Sequence, residues 1–158
     1  MSREHLFSLT SGPVIGLLAV LLLFAAGYSA VRQPATAAEV TVYKSPTCGC
    51  CSAWIDHLER NGFTVRSRDH RDVTPVKDEL GVPGRLRSCH TAVVDGYVIE
   101  GHVPADDIAR LLQERPAIRG LAVAGMPMGS PGMEGPRKDA YEVTASEADG
   151  DTSVYARH

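Results

Sequence analysis

The chain has 158 residues, 44% hydrophobic, 22% charged and only 6% aromatic, which suffices for one compact domain and not for two large ones. Its 16 Lys and Arg against 19 Asp and Glu leave a net charge of −3, scattered along the chain, with no basic footprint for nucleic acid or anionic lipid. Even "RSRDHRD" (Arg66 to Asp72) interleaves arginines with aspartates and reads as a solvated face.

The first element is not part of the domain. After Arg3 an uncharged run extends from Val14 to Ala30, and Ala35-Thr36-Ala37 fits the small-x-small rule for signal cleavage. Residues 1–37 are therefore expected to be an export signal and residues 38–158 the working domain. The alternative is an uncleaved inner-membrane anchor, since roughly 17 apolar residues can just span a bilayer. Both readings place the domain outside the cytoplasmic membrane, in the periplasm. Cleavage removes Arg3, Glu4 and Arg32, a net +1, and leaves −4 from the original −3.

From Glu39 the pattern becomes regular. "EVTVY" (Glu39 to Tyr43) alternates and is β-branched, which predicts a strand. After the loop "KSPTCGC", the segment "CSAWIDHLERNG" predicts a helix with Cys51, Trp54, Ile55 and Leu58 on one face and Asn61-Gly62 as its stop. "FTVRSRD" predicts a second strand. "VTPVKDELG" predicts a short helix with Thr74 as its cap before Pro75, and "GVPGRLRSCH" a loop. "TAVVDGYVIEGHV" places two apolar runs around Asp95-Gly96, a hairpin signature. "PADDIARLLQERP" predicts a helix opened by Pro104, with Asp106 and Asp107 in its positive first turn and Ile108, Leu111 and Leu112 as its core stripe. The order β-α-β-α-β-β-α implies an α/β fold, a mixed sheet flanked by helices. "GLAVAGMPMGSPGMEGP" (Gly120 to Pro136) is too rich in Gly, Pro and Met for a long helix and is expected to be a loop laid against something. "YEVTA" and "TSVYA" predict a further hairpin at the end of the chain.

Chemistry concentrates in the cysteines. Three of the four lie within "SPTCGCC", as Cys48, Cys50 and Cys51; the fourth is Cys89. Structural disulfides are the usual reading of four cysteines in an exported protein. Here two are adjacent and Cys48 to Cys51 encloses a very short loop, which stabilises little when closed. Crowded thiols are better explained by reactivity. Cys48 and Cys51 form a C-x-x-C between a strand and a helix, and the positive helix N-terminus favours thiolate there. A redox dithiol needs that, and so does a soft-metal site.

This placement resembles the thioredoxin fold, in which a cis-proline loop packs against the C-x-x-C before an apolar strand. "SCHTAVVDGYVIEGH" has His90 where that proline would be and Cys89 just before it. The resemblance implies that Cys89 and His90 lie beside Cys48 and Cys51, and that Gly101 brings His102 close to them. Losing the proline while adding Cys50, Cys89, His90 and His102 supplies soft and borderline ligands for a metal. Met126, Met128 and Met133 in "GMPMGSPGM" point the same way, because thioethers select Cu(I) and stay ligands in an oxidising compartment; the plainer reading is a loop packed for its flexibility.

"SPTCGCCSAWIDHLERNGF", "GVPGRLRSCHTAVVDGYVIEGHVPADDIARLL" and "GLAVAGMPMGSPGME" together resemble the CopG-type family of exported copper-resistance proteins, over about residues 39–158. The resemblance implies a thioredoxin-like fold and copper binding through Cys48, Cys50, Cys51 and Cys89 with histidine support, as Cu(I) and in a multinuclear site. It also implies thiol redox or Cu(I)/Cu(II) interconversion. Two functions thus compete: a periplasmic copper-binding protein for resistance or for transfer to other copper-handling proteins, and a thiol-disulfide or copper oxidoreductase using Cys48 and Cys51 catalytically. A structural zinc site ranks below both, because adjacent Cys50 and Cys51 make tetrahedral closure awkward. Among the remaining candidates, His57 is too far along the helix from Cys50 to share one metal, about 10 Å at 1.5 Å per residue. His70 reads as solvated and Trp54 as core; Lys44 either depresses a thiol pKa or faces solvent.

Overall fold

The computed structural model describes residues 38–158; the expected export signal, residues 1–37, lies outside the described residues. Among the described residues no helix is long and apolar enough to cross a membrane. Strand β1 (Glu39–Lys44) alternates as its sequence requires, with Val40 and Val42 fully buried. Helix α1 (Gly49–Arg60) carries the chain across to β2 (Thr64–Asp69), which pairs parallel with β1. The α1 face foreseen from its spacing is the buried one: Cys51, Trp54 and Leu58 are inside, Ile55 partly so. Asn61 closes the helix by donating its side-chain amide to the His57 carbonyl at 2.8 Å, and Gly62 turns the chain at φ +87.

Helix α2 (Thr74–Glu79) forms where expected, but Thr74 does not cap it. Thr74 is its first residue, and the Asp72 carboxylate takes the Thr74 N–H at 2.9 Å. An aspartate two residues upstream of a free N–H is a competing cap that composition cannot rank against the threonine. One 3-10 turn (Gly84–Leu86) interrupts the expected loop. Strands β3 (Thr91–Val94) and β4 (Tyr97–Glu100) form the antiparallel hairpin, with Asp95 and Gly96 both at positive φ as a tight two-residue turn demands. Helix α3 (Ala105–Glu114) starts immediately after Pro104 and buries Ile108, Leu111 and Leu112.

The segment after α3 departs from expectation at its start. Gly120–Ala122 is not loop but a short strand, β5, parallel to β4 with Val98 opposite Gly120. Any side chain at Gly120 would run into the Val98 backbone, so the glycine that suggested a loop is what allows this strand to close in. The terminal hairpin is present as β6 (Glu142–Ser146) and β7 (Thr152–Arg157). The sheet therefore has seven strands in the order β2-β1-β3-β4-β5-β6-β7.

One sheet face carries the main core. Val40, Val42, Ala92, Val94 and Ile99 meet Trp54 and Leu58 of α1 and Ile108 and Leu111 of α3. Because strand side chains alternate, Thr91 and Glu100 point to the opposite face, where α2 lies. This mixed sheet with helices on both faces is the expected α/β architecture and is compatible with a thioredoxin-like arrangement. Its consequence is positional: the start of α1, the segment before β3 and the turn after β4 meet at one end of the sheet.

Candidate metal centre

Cys48 is the residue capping α1, and Cys50 and Cys51 lie in its first turn. Successive helical residues point about 100° apart, so the two adjacent thiols cannot share a direction. Cys51 turns inward, is fully buried and is disulfide-bonded to Cys48, their Cα atoms 5.3 Å apart. Cys50 points outward to the next segment: its Sγ lies 3.5 Å from Cys48 Sγ and 3.8 Å from Cys89 Sγ. The thiol presented free at the helix start is therefore Cys50, while Cys51 lies on the buried face that its helical spacing predicted. All four sulfurs lie within 4.8 Å of one another. Cys48, Cys50, Cys51 and Cys89 are thus brought together as the thioredoxin resemblance implied.

Cys89 has a second set of neighbours. His102 Nε2 stands 3.0 Å and His90 Nδ1 3.3 Å from its Sγ, so Cys89 belongs to two overlapping groups, one of four sulfurs and one of Cys89, His90 and His102. The tautomer of His102 follows from its other side. Its Nδ1 lies 2.8 Å from the Pro131 carbonyl, which only accepts, so the ring proton sits on Nδ1 and the Nε2 lone pair faces Cys89. That is the arrangement of a metal-ligating imidazole. His90 is fully buried between the Trp54 ring, at 4.4 Å, and the His102 ring, at 5.1 Å. Its Nε2 is buried without a hydrogen-bond partner, an uncommon state for an imidazole nitrogen.

The electrostatics agree with neutral, desolvated ligands. Burial, reinforced by the neighbouring Cys50, pushes the Cys89 thiol up to about 12. Burial holds His90 well below the usual histidine value, helped by His102 and then Lys77; it also lowers His102. Two imidazoles that stay unprotonated beside clustered sulfurs form a donor set suited to a soft or borderline cation.

The Gly/Pro/Met segment is laid over this corner. Besides the Pro131 carbonyl on His102, it contributes Gly132, where a Cβ would come within 2.7 Å of the Cys50 carbonyl and 2.8 Å of the Trp54 nitrogen. At φ +83 this glycine lets the backbone lie directly on the start of α1. The three methionines are not equivalent. Met126 is 52% exposed, while Met128 and Met133 are half-buried, Met128 with the end of its side chain over Gly135 of the same segment. Met126 follows Gly125, whose carbonyl accepts from the Ser88 hydroxyl, one residue before Cys89.

Other candidates are accounted for by the fold. His57 accepts the Ala105 N–H at 3.1 Å and so caps α3. His70 packs its ring 5.7 Å from Tyr43 and is half-buried. Trp54 is core, with its indole N–H donated to the Val103 carbonyl at 2.8 Å. Lys44 is buried and paired with Asp69 at 3.2 Å, neither solvent-facing nor free to act on a thiol. Lys77, Glu100, Thr91 and Ser88, which surround the Cys89 segment, carry no sequence signal: a charged residue ending a strand ordinarily reads as solvated.

The family model DUF411, described as a protein of unknown function, matches residues 86–133, from the segment before Cys89 through the methionine loop. No curated protein matches. Two solved structures do, both titled copper resistance protein copG. Form 2 is 50% identical over 77% of this chain and 98% of its own, with a TM-score of 0.74; Form 1 is 50% identical over 76% and 96%, with a TM-score of 0.72. At that identity and coverage, the chain belongs to the CopG family of copper resistance proteins.

Proposed function

We propose that this protein, exported to the periplasm, binds copper as Cu(I) in its cysteine corner and holds it for resistance or hands it on. The observation that carries the reading is Cys89, whose sulfur lies within 4.8 Å of three other sulfurs and of two buried imidazoles. Thiolates suit Cu(I), and a sulfur shared between two donor groups can bridge more than one ion. Cys48, Cys50, Cys51 and Cys89 would hold the metal, with His102 and His90 completing its coordination. Met126, half-exposed beside this corner, offers a thioether at the surface that keeps its ligand form when thiols are oxidised. Support for copper as cargo comes from the two solved relatives, whose titles name copper resistance.

The disulfide between Cys48 and Cys51 favours a second reading, thiol or copper oxidoreduction. The reduced pair can give two electrons and two protons in closing that bond, enough to reduce two Cu(II) ions to Cu(I) or one substrate disulfide to two thiols. The two readings are linked, because the closed disulfide withdraws two of the four thiolates from a metal.

One experiment separates them. The reduced protein is titrated anaerobically with Cu(I) against a competing chelator while free thiols are counted. Tight uptake of more than one copper per chain with all four thiols protected is expected. Weak uptake, with a Cys48–Cys51 pair that turns over in insulin or Cu(II) reduction and stops on Cys48→Ser, would leave oxidoreduction as the function.

A further inference from the structure

On the sheet face opposite the main core lies a buried polar group that neither function requires. Thr91 and Glu100 are direct cross-strand partners at the open end of the β3–β4 hairpin. Helix α2 sets Lys77 over them, and both charged residues are almost fully buried, at 4% and 1% exposure. Lys77 Nζ donates to Glu100 Oε1 at 2.5 Å and to Thr91 Oγ1 at 2.8 Å, and the Thr91 hydroxyl donates to Glu100 Oε2 at 2.6 Å. A fourth bond leaves the group: the Ser88 backbone N–H donates to Glu100 Oε1 at 2.6 Å.

One carboxylate thus grips the chain on both sides of Cys89-His90, at Ser88 before it and at Thr91 after it. The same strand end continues into Gly101, whose N–H donates to the His90 carbonyl at 3.0 Å, and then into His102. The segment has no rigid ring of its own to hold it. His90 stands where a proline would, and there is no cis peptide among the described residues. Stability is a weak reason to keep such a pair, since a buried ion pair can often be replaced by apolar side chains of similar volume without loss.

We propose that Glu100, held by Lys77, is a positioning residue: its carboxylate fixes the Ser88–Thr91 segment so that Cys89 meets Cys50 and His102 at ligand distances. This rests on the copper-binding reading for its consequence, but the positioning itself is measurable without metal. With the Cys48–Cys51 disulfide intact, Cys50 and Cys89 are the two free thiols among the described residues, and their alkylation can be followed separately by peptide mapping.

The decisive variant is the double substitution Lys77→Met/Glu100→Leu, which removes both charges and both grips and leaves no unpaired buried ion. The full chain should stay folded with a melting temperature close to wild type, yet Cys89 should alkylate several-fold faster while Cys50 keeps its rate. Cu(I) affinity, measured on reduced protein against a chelator, should fall by about tenfold or more. A folded double variant with wild-type Cys89 alkylation and wild-type copper affinity would overturn the proposal. Should the double variant not fold, Thr91→Val and Thr91→Ser decide: the valine removes one grip and should expose Cys89, the serine keeps the hydroxyl and should restore its protection, and equal rates in the two would overturn the proposal. Absence of copper uptake by the wild-type protein would refute the copper reading alone, because the alkylation contrast would still report whether Glu100 positions Cys89.

Discussion

On the copper-binding reading, the proton and the metal would compete for one sulfur at Cys89. The thiol is pushed from 9.0 to about 12 by burial and then by Cys50, so at neutral pH the metal-free site holds it protonated. Copper binding there would release that proton, and affinity should then rise about tenfold per pH unit for each thiol proton displaced. Competitive Cu(I) titrations between about pH 6 and pH 8 should show this slope, reduced by one proton in Cys89→Ser. A slope unchanged by Cys89→Ser would remove Cys89 from the ligand set. His90 acts on the fold in the opposite pH range. Its folded pKa lies well below 6.5, so as pH falls below 6.5 the unfolded chain takes a proton that the folded chain refuses. Such a group subtracts up to about 1.4 kcal/mol of stability per pH unit in that window. Urea midpoints of the metal-free protein should therefore drop on acidification, and His90→Phe, which cannot titrate, should flatten the drop. The donor residues themselves could be read from the chain because cysteines and histidines announce their chemistry by type. Glu100 and Lys77 could not, because nothing local marks a charged side chain as buried.

At the scale of elements, α1 and the methionine segment are one device. The helix presents Cys50 outward and Cys51 inward, and the segment from Met126 to Met133 closes over the helix start through Gly132 and Pro131. Gly132→Ala would place a methyl group 2.7 Å from the Cys50 carbonyl at a backbone angle that disfavours any side chain. The variant should lose roughly 1–3 kcal/mol. It should also release the segment around residues 124–140 to limited proteolysis, and the Pro131 contact that orients His102 should loosen with it. A variant as stable and as protease-resistant as wild type would mean that the segment is not held by this contact. The spacing of apolar residues located α1, α3 and both hairpins, because each must bury one face with the period of its own backbone. It missed β5, since three residues beginning with glycine have no period, and only the waiting edge of β4 makes them a strand.

For the molecule as a whole, on the copper-binding reading, metal binding and folding are linked through the same disulfide. A ligand that binds only the folded state stabilises it by about 2.7 kcal/mol at a hundredfold excess over Kd, roughly 10 °C in melting temperature for a domain of this size. Reduced protein should show such a rise with Cu(I) in thermal unfolding. Protein with Cys48–Cys51 closed should show much less, because only Cys50 and Cys89 remain as thiols. Equal shifts in the two forms would mean that copper does not use the C-x-x-C.

What the amino-acid sequence determined by itself was local and chemical: the periods of its strands and helices, the tight turn at Asp95-Gly96, the crowding of Cys48, Cys50 and Cys51, and the thioether-rich loop. Those follow from backbone geometry and side-chain type within a few residues. Only the tertiary structure decided which thiols are paired and which are free, that Cys89 sits between three other sulfurs and two imidazoles, and that Lys77 and Glu100 are buried behind it. The corner forms because residues far apart in sequence converge at one end of a sheet, such as Cys89 with His102, 13 positions apart, and Cys50 with Cys89, 39 apart. The burial that raises the Cys89 thiol and lowers the two imidazoles exists only once that convergence has excluded water.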